Sequence, residues 1–233
     1  MITPQHSGTV PYKRNQLEEA IAGIFYPDHQ KPPSELRTRI KRLLELDRSL
    51  GRKVRSKDTE EANFAFFSEE APGTGADISF SEYEAFALLN GLRMMDHGWP
   101  QSVAVSIIRR VRRDLEREHA RILRQDPDRL FDWEAIGARA RHGDIAADNT
   151  DPVYLTVASK AQPTSDEGQR ALFSAVCQGY ESVGKFRRQV GASSVTMFEI
   201  VTLTHSLHTQ LMKTAPSPRG RGPHFRRPER RSG

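Results

Sequence analysis

Cysteine is almost absent from this chain and no long apolar run is present, which narrows the classes of protein it can belong to. Cys177 is the one cysteine among 233 residues, so a single chain cannot form an intramolecular disulfide or a thiolate metal cage. The longest apolar run is about the length of Ala85 to Leu89, whereas a helix that crosses a bilayer needs roughly 20 residues. We therefore expect a cytoplasmic protein with no membrane partner, whose thiol is buried and inert.

The sequence also lacks the short motifs of common catalytic and cofactor sites. It contains no Gly-x-Ser-x-Gly, no Gly-x-x-x-x-Gly-Lys followed by Ser or Thr, and no Gly-x-Gly-x-x-Gly. His205 and His208 share one helix face, and Glu116 with His119 forms one Glu-x-x-His pair, but a di-metal carboxylate site needs a second such pair. We therefore expect no enzyme activity, no metal and no cofactor, although catalytic groups that meet only in space leave no motif.

Positive charge is concentrated at the end of the chain. Lys and Arg outnumber Asp and Glu by 35 to 30, and the segment 216–233 contains six arginines, four prolines and one acid. This composition predicts a disordered basic tail that raises non-specific affinity for polyanions. The remainder is close to neutral, so nucleic-acid binding requires that its basic residues lie together on one face.

Four amphipathic helices are predicted in the first half of the chain, after a disordered lead-in over 1–13. Asn15 with Glu18 matches a capping box at the start of the first helix, and Ser81 with Glu84 matches one at the start of the third. Apolar residues recur at helical spacing in four segments, 16–25, 34–48, 81–97 and 100–125.

Aromatic residues between the second and third helices predict a β-hairpin. The segments 63–67 and 78–80 are rich in phenylalanine and flank a Pro/Gly turn over 71–75. The region 14–136 is therefore expected to form a helix-rich domain with one short hairpin.

The second half of the chain has strand-like runs, which make the fold class α+β. A polar linker is predicted over 137–151, followed by a small α+β unit over 152–215. Its β-branched and aromatic runs predict strands at 153–157, 172–176 and 195–201, with a further strand over 183–190 and a closing helix over 205–213. We expect two separable units.

The order helix, helix, two-stranded wing, helix, helix resembles that of MerR-type winged-helix DNA-binding proteins over residues 15–110. Ile78-Ser79-Phe80-Ser81-Glu82 stands where that family has its wing strand running into a Ser-Glu helix start, and Gly98-Trp99-Pro100 stands at its Gly-aromatic turn between two helices. Two features depart from the family. Arg42-Leu43-Leu44-Glu45 replaces an Arg-Tyr-Tyr-like signature, and no long dimerising coiled coil follows residue 125.

The resemblance implies a recognition helix over 34–48 and a function as a DNA-binding transcriptional regulator or accessory factor. Arg37, Lys41 and Arg48 would contact base edges or phosphates of double-stranded DNA, and Thr74 in the wing would touch its backbone. One alternative is a non-enzymatic interaction module that binds a protein partner or a second copy of the chain. Another is an enzyme site near Cys177, which His205 and His208 would complete.

A second basic run, Arg109-Arg110-x-Arg112-Arg113, is interpreted differently. Asp114, Glu116 and Glu118 follow it closely, and opposite charges at helical spacing form ion pairs on a solvated face. We expect a salt-bridged supporting helix here.

Overall fold

The computed structural model describes residues 11–68, 79–141, 147–161 and 170–214. This part of the chain has an α+β fold, as the sequence predicts. The strands are β1 (Tyr12–Lys13), β2 (Ser79–Phe80), β3 (Val153–Ala161), β4 (Arg170–Gln178) and β5 (Ser194–Glu199). The helices are α1 (Arg14–Phe25), α2 (Ser34–Leu50), α3 (Thr59–Ala62), α4 (Glu82–Asp96), α5 (Gln101–Ile122), α6 (Pro127–Leu130), α7 (Trp133–Arg141), α8 (Gly179–Val190) and α9 (Val201–Lys213).

Two antiparallel sheets connect distant parts of the sequence. The larger sheet has the order β4-β3-β5, and Leu155 at its centre pairs with Val176 on one side and Phe198 on the other. The smaller sheet joins β1 to β2, with Tyr12 opposite Phe80. Because the central strand β3 is covered on both faces, nearly all its residues are buried.

One hydrophobic core joins the two halves of the chain, whereas the sequence predicts two separable units. Leu17 of α1 and Ile107 of α5 belong to the same buried cluster as Val157 of β3 and Leu207 of α9. Helix α9 packs against α1, α4 and α5, which places the C-terminal helix inside the N-terminal bundle. The expected linker is also helical at its start, since α7 continues to Arg141. Within the described ranges, no helix is both long and apolar enough for a membrane span.

Helix α4 is the central helix, and the sequence determines where it begins. Ser81 Oγ accepts a hydrogen bond from the N–H of Glu84, whose carboxylate accepts from the N–H of Ser81, so the predicted capping box is confirmed. Near its other end, a Cβ at Gly91 would lie 3.1 Å from the Phe66 ring. Glycine at this position therefore allows the aromatic segment before β2 to approach the helix.

The predicted hairpin is wrong, because β2 pairs with β1 and the segment 63–68 is not a strand. The N–H groups of Ala65 and Phe66 donate to the carboxylate of Asp47, and the carbonyl of Phe64 accepts from Arg112. Side chains thus bind the backbone groups that a hairpin would use. Residues 69–78, including the turn and Ile78, lie outside the described ranges.

Three other boundaries also differ from the predictions. Tyr12 and Lys13 form β1 rather than the end of a disordered lead-in, and α1 begins at Arg14 with Lys13 N–H bonded to Gln16 Oε1. The predicted strand 183–190 lies within α8, because Val183 and Phe186 recur at helical spacing and pack under the sheet. The remaining lead-in, 1–10, and the basic tail, 216–233, lie outside the described residues.

Candidate nucleic-acid interface

Helix α2 separates a buried side from a solvent side along its whole length. Leu36, Ile40 and Leu43 are completely buried against the neighbouring helices α1, α4 and α5. Gly51 ends the helix with a φ of 62°, a left-handed value that favours glycine. The opposite side of α2 carries the basic residues that the resemblance singles out.

Arg37 and Lys41 lie on this solvent side, and their side chains are 52 % and 60 % exposed. Their partners are weak: Arg37 Nε is 3.5 Å from a Glu18 oxygen, and Lys41 Nζ is 3.6 Å from a Glu45 oxygen. Ion pairs with this exposure contribute ~0 to 1 kcal/mol, so an incoming phosphate can replace these partners at low cost.

Arg48 is on the same side, eleven positions after Arg37, which corresponds to about 16 Å along a helix. Its guanidinium lies 5.8 Å from the centroid of the Phe67 ring, and the residue is half-buried. Its Nε is buried and has no hydrogen-bond partner among the described residues. Arg48 therefore has a packing role that the sequence does not indicate. Thr74, the fourth expected contact, lies outside the described residues.

The basic surface continues beyond α2 into the loop 51–57, for which the sequence alone led to no functional prediction. From Ser34 to Lys57 the chain has nine Lys or Arg residues and three Asp or Glu residues. One of the three acids, Asp47, is completely buried. Arg42, Arg55 and Lys57 form no ion pair with any described residue. Counting charges over the helix and loop together would have found this surface.

The loop 51–57 is held by backbone contacts to α3. Lys53 N–H donates to the Glu61 carbonyl at 2.7 Å, and Ser56 N–H closes a turn on the Lys53 carbonyl at 2.8 Å. Ser56 Oγ also donates to the Glu61 carboxylate at 2.9 Å. These bonds present Val54 and Arg55 at the tip of the turn, and both are exposed.

The second basic run, on α5, is only partly the solvated face that its sequence suggests, because Arg113 is exposed whereas Arg109 and Arg112 are buried. Arg109 is buried, and its Nε lies 2.6 Å from Asp47 Oδ1. Asp47 also accepts from Ala65 N–H at 3.0 Å and from Phe66 N–H at 2.9 Å. Because Asp47 is on α2 and Arg109 is on α5, this buried pair fixes the basic helix to its support.

Arg112 and Glu84 fix the segment 63–68 in a similar way. The Arg112 guanidinium donates to the Phe64 carbonyl at 2.9 Å and to Ser68 Oγ at 3.1 Å, and it lies 5.1 Å from the centroid of the Tyr83 ring. Glu84 accepts from the N–H of Ser68 in addition to its capping-box bond. The chain is thus anchored to α4 and α5 up to the residue before the undescribed segment 69–78.

The other residues with possible chemistry lie in separate clusters. His119 is buried, with its ring centroid 4.7 Å from that of Phe86, and burial together with His208 and His205 lowers its pKa to about 4. His208 Nδ1 is 2.8 Å from Glu82 Oε1. Cys177 belongs to the cluster between the sheet and α8, where burial raises the pKa of its thiol.

These clusters do not form the catalytic or metal arrangements considered from the sequence. Cys177 packs with Tyr154 and Val183, whereas the His205 ring contacts Phe131. Over the described ranges, no three His, Cys, Asp or Glu side chains are arranged to hold a metal ion.

No protein-family model, curated protein or solved structure matches this chain. The function is therefore inferred from the charges, exposure and contacts of its own residues. The surface of α2 with the loop 51–57 has an excess of positive charge on a fixed backbone, and a clustered basic surface is typical of proteins that bind phosphates of nucleic acids.

Proposed function

We propose that this protein binds double-stranded DNA through the solvent side of α2 and the loop 51–57, as a transcriptional regulator or accessory factor. One observation carries the proposal: the segment 34–57 has nine basic residues and three acids, and its exposed cations outnumber its exposed acids. The exposed cations are Arg37, Lys41, Arg42, Lys53, Arg55 and Lys57, whereas Glu35 and Glu45 are the exposed acids of the segment, since Asp47 is buried and bonded to Arg109. Of these six cations, Lys53 is paired with Glu61 of α3. Neutralising phosphates releases bound counterions, and this release drives DNA binding.

The dimensions of α2 suit the major groove. A helix of 17 residues is about 25 Å long, and the major groove of B-DNA, about 12 Å wide, admits an α-helix. Since the apolar side of α2 is completely buried, its basic side is the one available to the groove. We assign Arg37 and Lys41 to base edges or phosphates, and Arg55 and Lys57 to the phosphates that flank the groove.

The contacts that fix α2 to α4 and α5 favour DNA binding by this helix. Besides the Asp47–Arg109 pair, Arg39 lies 2.6 Å from the Asp96 carboxylate and donates to the Leu92 carbonyl at 3.2 Å. These bonds fix α2 to the end of α4 as well as to α5. A recognition helix that is already oriented loses less conformational entropy when it binds.

The proposal retains the helix order of a MerR-type module but not its two-stranded wing. Strand β2 pairs with β1 instead of with the segment 63–67. Thr74 is kept as a proposed contact to the DNA backbone, since it follows the anchored segment 63–68 closely in the sequence.

A salt titration of binding to a pool of genomic DNA fragments tests the proposal. The test variant replaces Arg37, Lys41, Arg55 and Lys57 by alanine, and the control replaces four exposed basic residues elsewhere, Arg124, Arg129, Lys185 and Arg187. Both variants change the net charge equally. Each lost phosphate contact should lower the slope of log affinity against log salt by about 0.9, and the control should retain the wild-type slope.

Two results would overturn the proposal. Either the wild-type protein fails to bind duplex DNA at low salt, or both variants lose the same part of the salt dependence. In the second case the binding would reflect net charge alone, and the interaction-module alternative would replace DNA recognition.

A further inference from the structure

A cavity of about 380 Å³ lies between the start of α5 and one end of the larger sheet. Its volume is in the range of small-molecule sites. Trp99, in the turn before α5, and Val103, in the first turn of α5, form one wall, and strands β3, β4 and β5 form the other. The cavity shares no residue with the proposed DNA interface.

The side chains on the inner face of the sheet, the face that packs against the hydrophobic core, become smaller toward this cavity. Alternate residues of a strand lie on the same face. On β3 the inner face therefore passes from Leu155 in the core to Ser159. On β5 it passes from Phe198 in the core through Thr196 to Ser194, which pairs with Ser159. Small hydroxyl-bearing residues thus replace large core residues at this end, and the space they leave is the cavity.

The hydroxyl groups of this lining can bond to a ligand. The Oγ atoms of Ser159 and Ser194 are 2.6 Å apart, so one hydroxyl donates to the other and the second keeps its own proton available. Thr196 is half-buried, and its Oγ1 forms no hydrogen bond with any described residue. Its hydroxyl can therefore both donate to a ligand and accept from one.

None of the described residues that line the cavity has a charged side chain. Arg110 reaches one of them, since it donates to the Leu172 carbonyl at 2.9 Å, but its guanidinium is paired with the Glu60 carboxylate at 2.7 Å. An ionised group in the cavity would lose water without gaining a charged partner, which is unfavourable. The lining therefore favours a neutral ligand.

We propose that this cavity binds a small neutral molecule that combines one aromatic ring with one hydroxyl group, as phenol does. The ring packs against Trp99, Val103 and Leu172, since aromatic rings gain most from contact with aromatic and apolar side chains. The hydroxyl bonds to Thr196. This site is independent of DNA binding, and either proposal can fail without the other.

Phenol is the probe that tests this site, with toluene and benzoate as separate arms that lack the hydroxyl or add a charge. The probes are titrated into the ¹⁵N-labelled full chain, and the indole N–H signal of Trp99 reports binding. The chain has two tryptophans, so Trp133→Phe, at an exposed position, assigns the two indole signals. Phenol and toluene should shift the Trp99 signal until it saturates, and benzoate should bind about tenfold more weakly than phenol.

Thr196→Val separates the hydroxyl contact from the apolar contacts, because valine keeps the shape of threonine and lacks the hydroxyl. It should weaken phenol about fivefold and leave the affinity for toluene unchanged. Thr59→Val is the matched control, since Thr59 is an exposed threonine on α3 that does not line the cavity. It should leave the affinities for all three probes unchanged.

Val103→Phe places a larger side chain in the cavity and should abolish the shift of the Trp99 signal, with thermal unfolding measured beside the wild type. An unchanged Trp99 signal with all three probes, or binding that persists in folded Val103→Phe, would overturn the site. An equal effect of Thr196→Val on phenol and toluene would overturn the hydroxyl contact. Benzoate that binds as tightly as phenol would overturn the neutral class and would point to an anion at the first turn of α5, which has no side-chain cap.

Discussion

Two basic regions of the molecule, represented by Arg109 on α5 and Arg37 on α2, differ in their burial and in their acidic partners. Arg109 has 4 % of its surface exposed and bonds to the carboxylate and the carbonyl of Asp47. Arg37 has 52 % of its side chain exposed and one ion pair, in which its Nε is 3.5 Å from a Glu18 oxygen. The first region holds the fold together, whereas the second is free to contact another molecule.

The difference shows which arginines are available for binding. A buried guanidinium must keep its acceptors, because an unpaired charge in the interior costs several kcal/mol. An exposed guanidinium exchanges water or a weak partner for phosphate at little cost. The proposed DNA contacts therefore lie on α2 and the loop 51–57, whereas Arg109 and Arg112 stabilise the fold, although both regions are equally arginine-rich.

The largest expected effect is that of Asp47→Ala, which removes the acceptor of the buried region. It leaves the Arg109 charge uncompensated and two backbone N–H groups, those of Ala65 and Phe66, without an acceptor. We expect the free energy of unfolding to fall by ~3 to 5 kcal/mol, measured by urea denaturation of the full chain.

The double variant Asp47→Ala/Arg109→Met tests whether the unpaired Arg109 charge causes this loss of stability. Removing both charges should recover part of the lost stability, since apolar replacement of a buried ion pair is often tolerated. A loss below about 1 kcal/mol for Asp47→Ala would contradict a structural role for the pair.

Acidification should produce the next largest effect, through His119. Burial lowers its pKa in the folded protein to about 4 from an ordinary 6.5, so the unfolded chain takes up the proton first. The stability that neutral His119 provides is fully present above pH ~6.5 and is lost as the pH falls toward about 4. The shift corresponds to about 3 kcal/mol.

Urea denaturation at several pH values between 7 and 4 measures this loss, with His119→Leu beside the wild type. Leucine keeps an apolar side chain against Phe86 and cannot titrate, so the variant should have a shallower pH dependence. His29→Gln, at an exposed position, is the control and should retain the wild-type profile. Identical profiles for His119→Leu and the wild type would show that other groups cause the acid sensitivity.

Local signals in the sequence predicted much of the fold. Ser81 and Glu84 located the start of α4, because capping depends on residues that are neighbours in the chain. The hairpin predicted from the segments 63–67 and 78–80 is wrong. The backbone groups of 63–67 bond instead to the side chains of Asp47 and Arg112, which are distant in the sequence. The single core was also missed for this reason: the packing of α9 against α1 leaves no local pattern.

The candidate site could be predicted only in part for a related reason. Arg37 and Lys41 were identified because their helix is amphipathic, and the periodicity alone places them on the solvent side. Arg109 was assigned to a solvated face because acids follow it closely on α5. Its true partner is on another helix, and nothing near Arg109 in the sequence distinguishes a buried arginine from an exposed one.

The smallest expected effect on stability is that of Glu45→Gln, which changes the exposed region alone. Glu45 is exposed and its carboxylate lies 3.6 Å from Lys41, so its removal should change the free energy of unfolding by less than ~0.5 kcal/mol. On the proposed DNA interface this carboxylate repels phosphate, and its loss should raise DNA affinity about threefold at low salt. The gain should disappear at high salt, where exposed charges are screened. A fall in affinity, or a gain that persists at high salt, would show that Glu45 does not face DNA and would move the interface away from this side of α2.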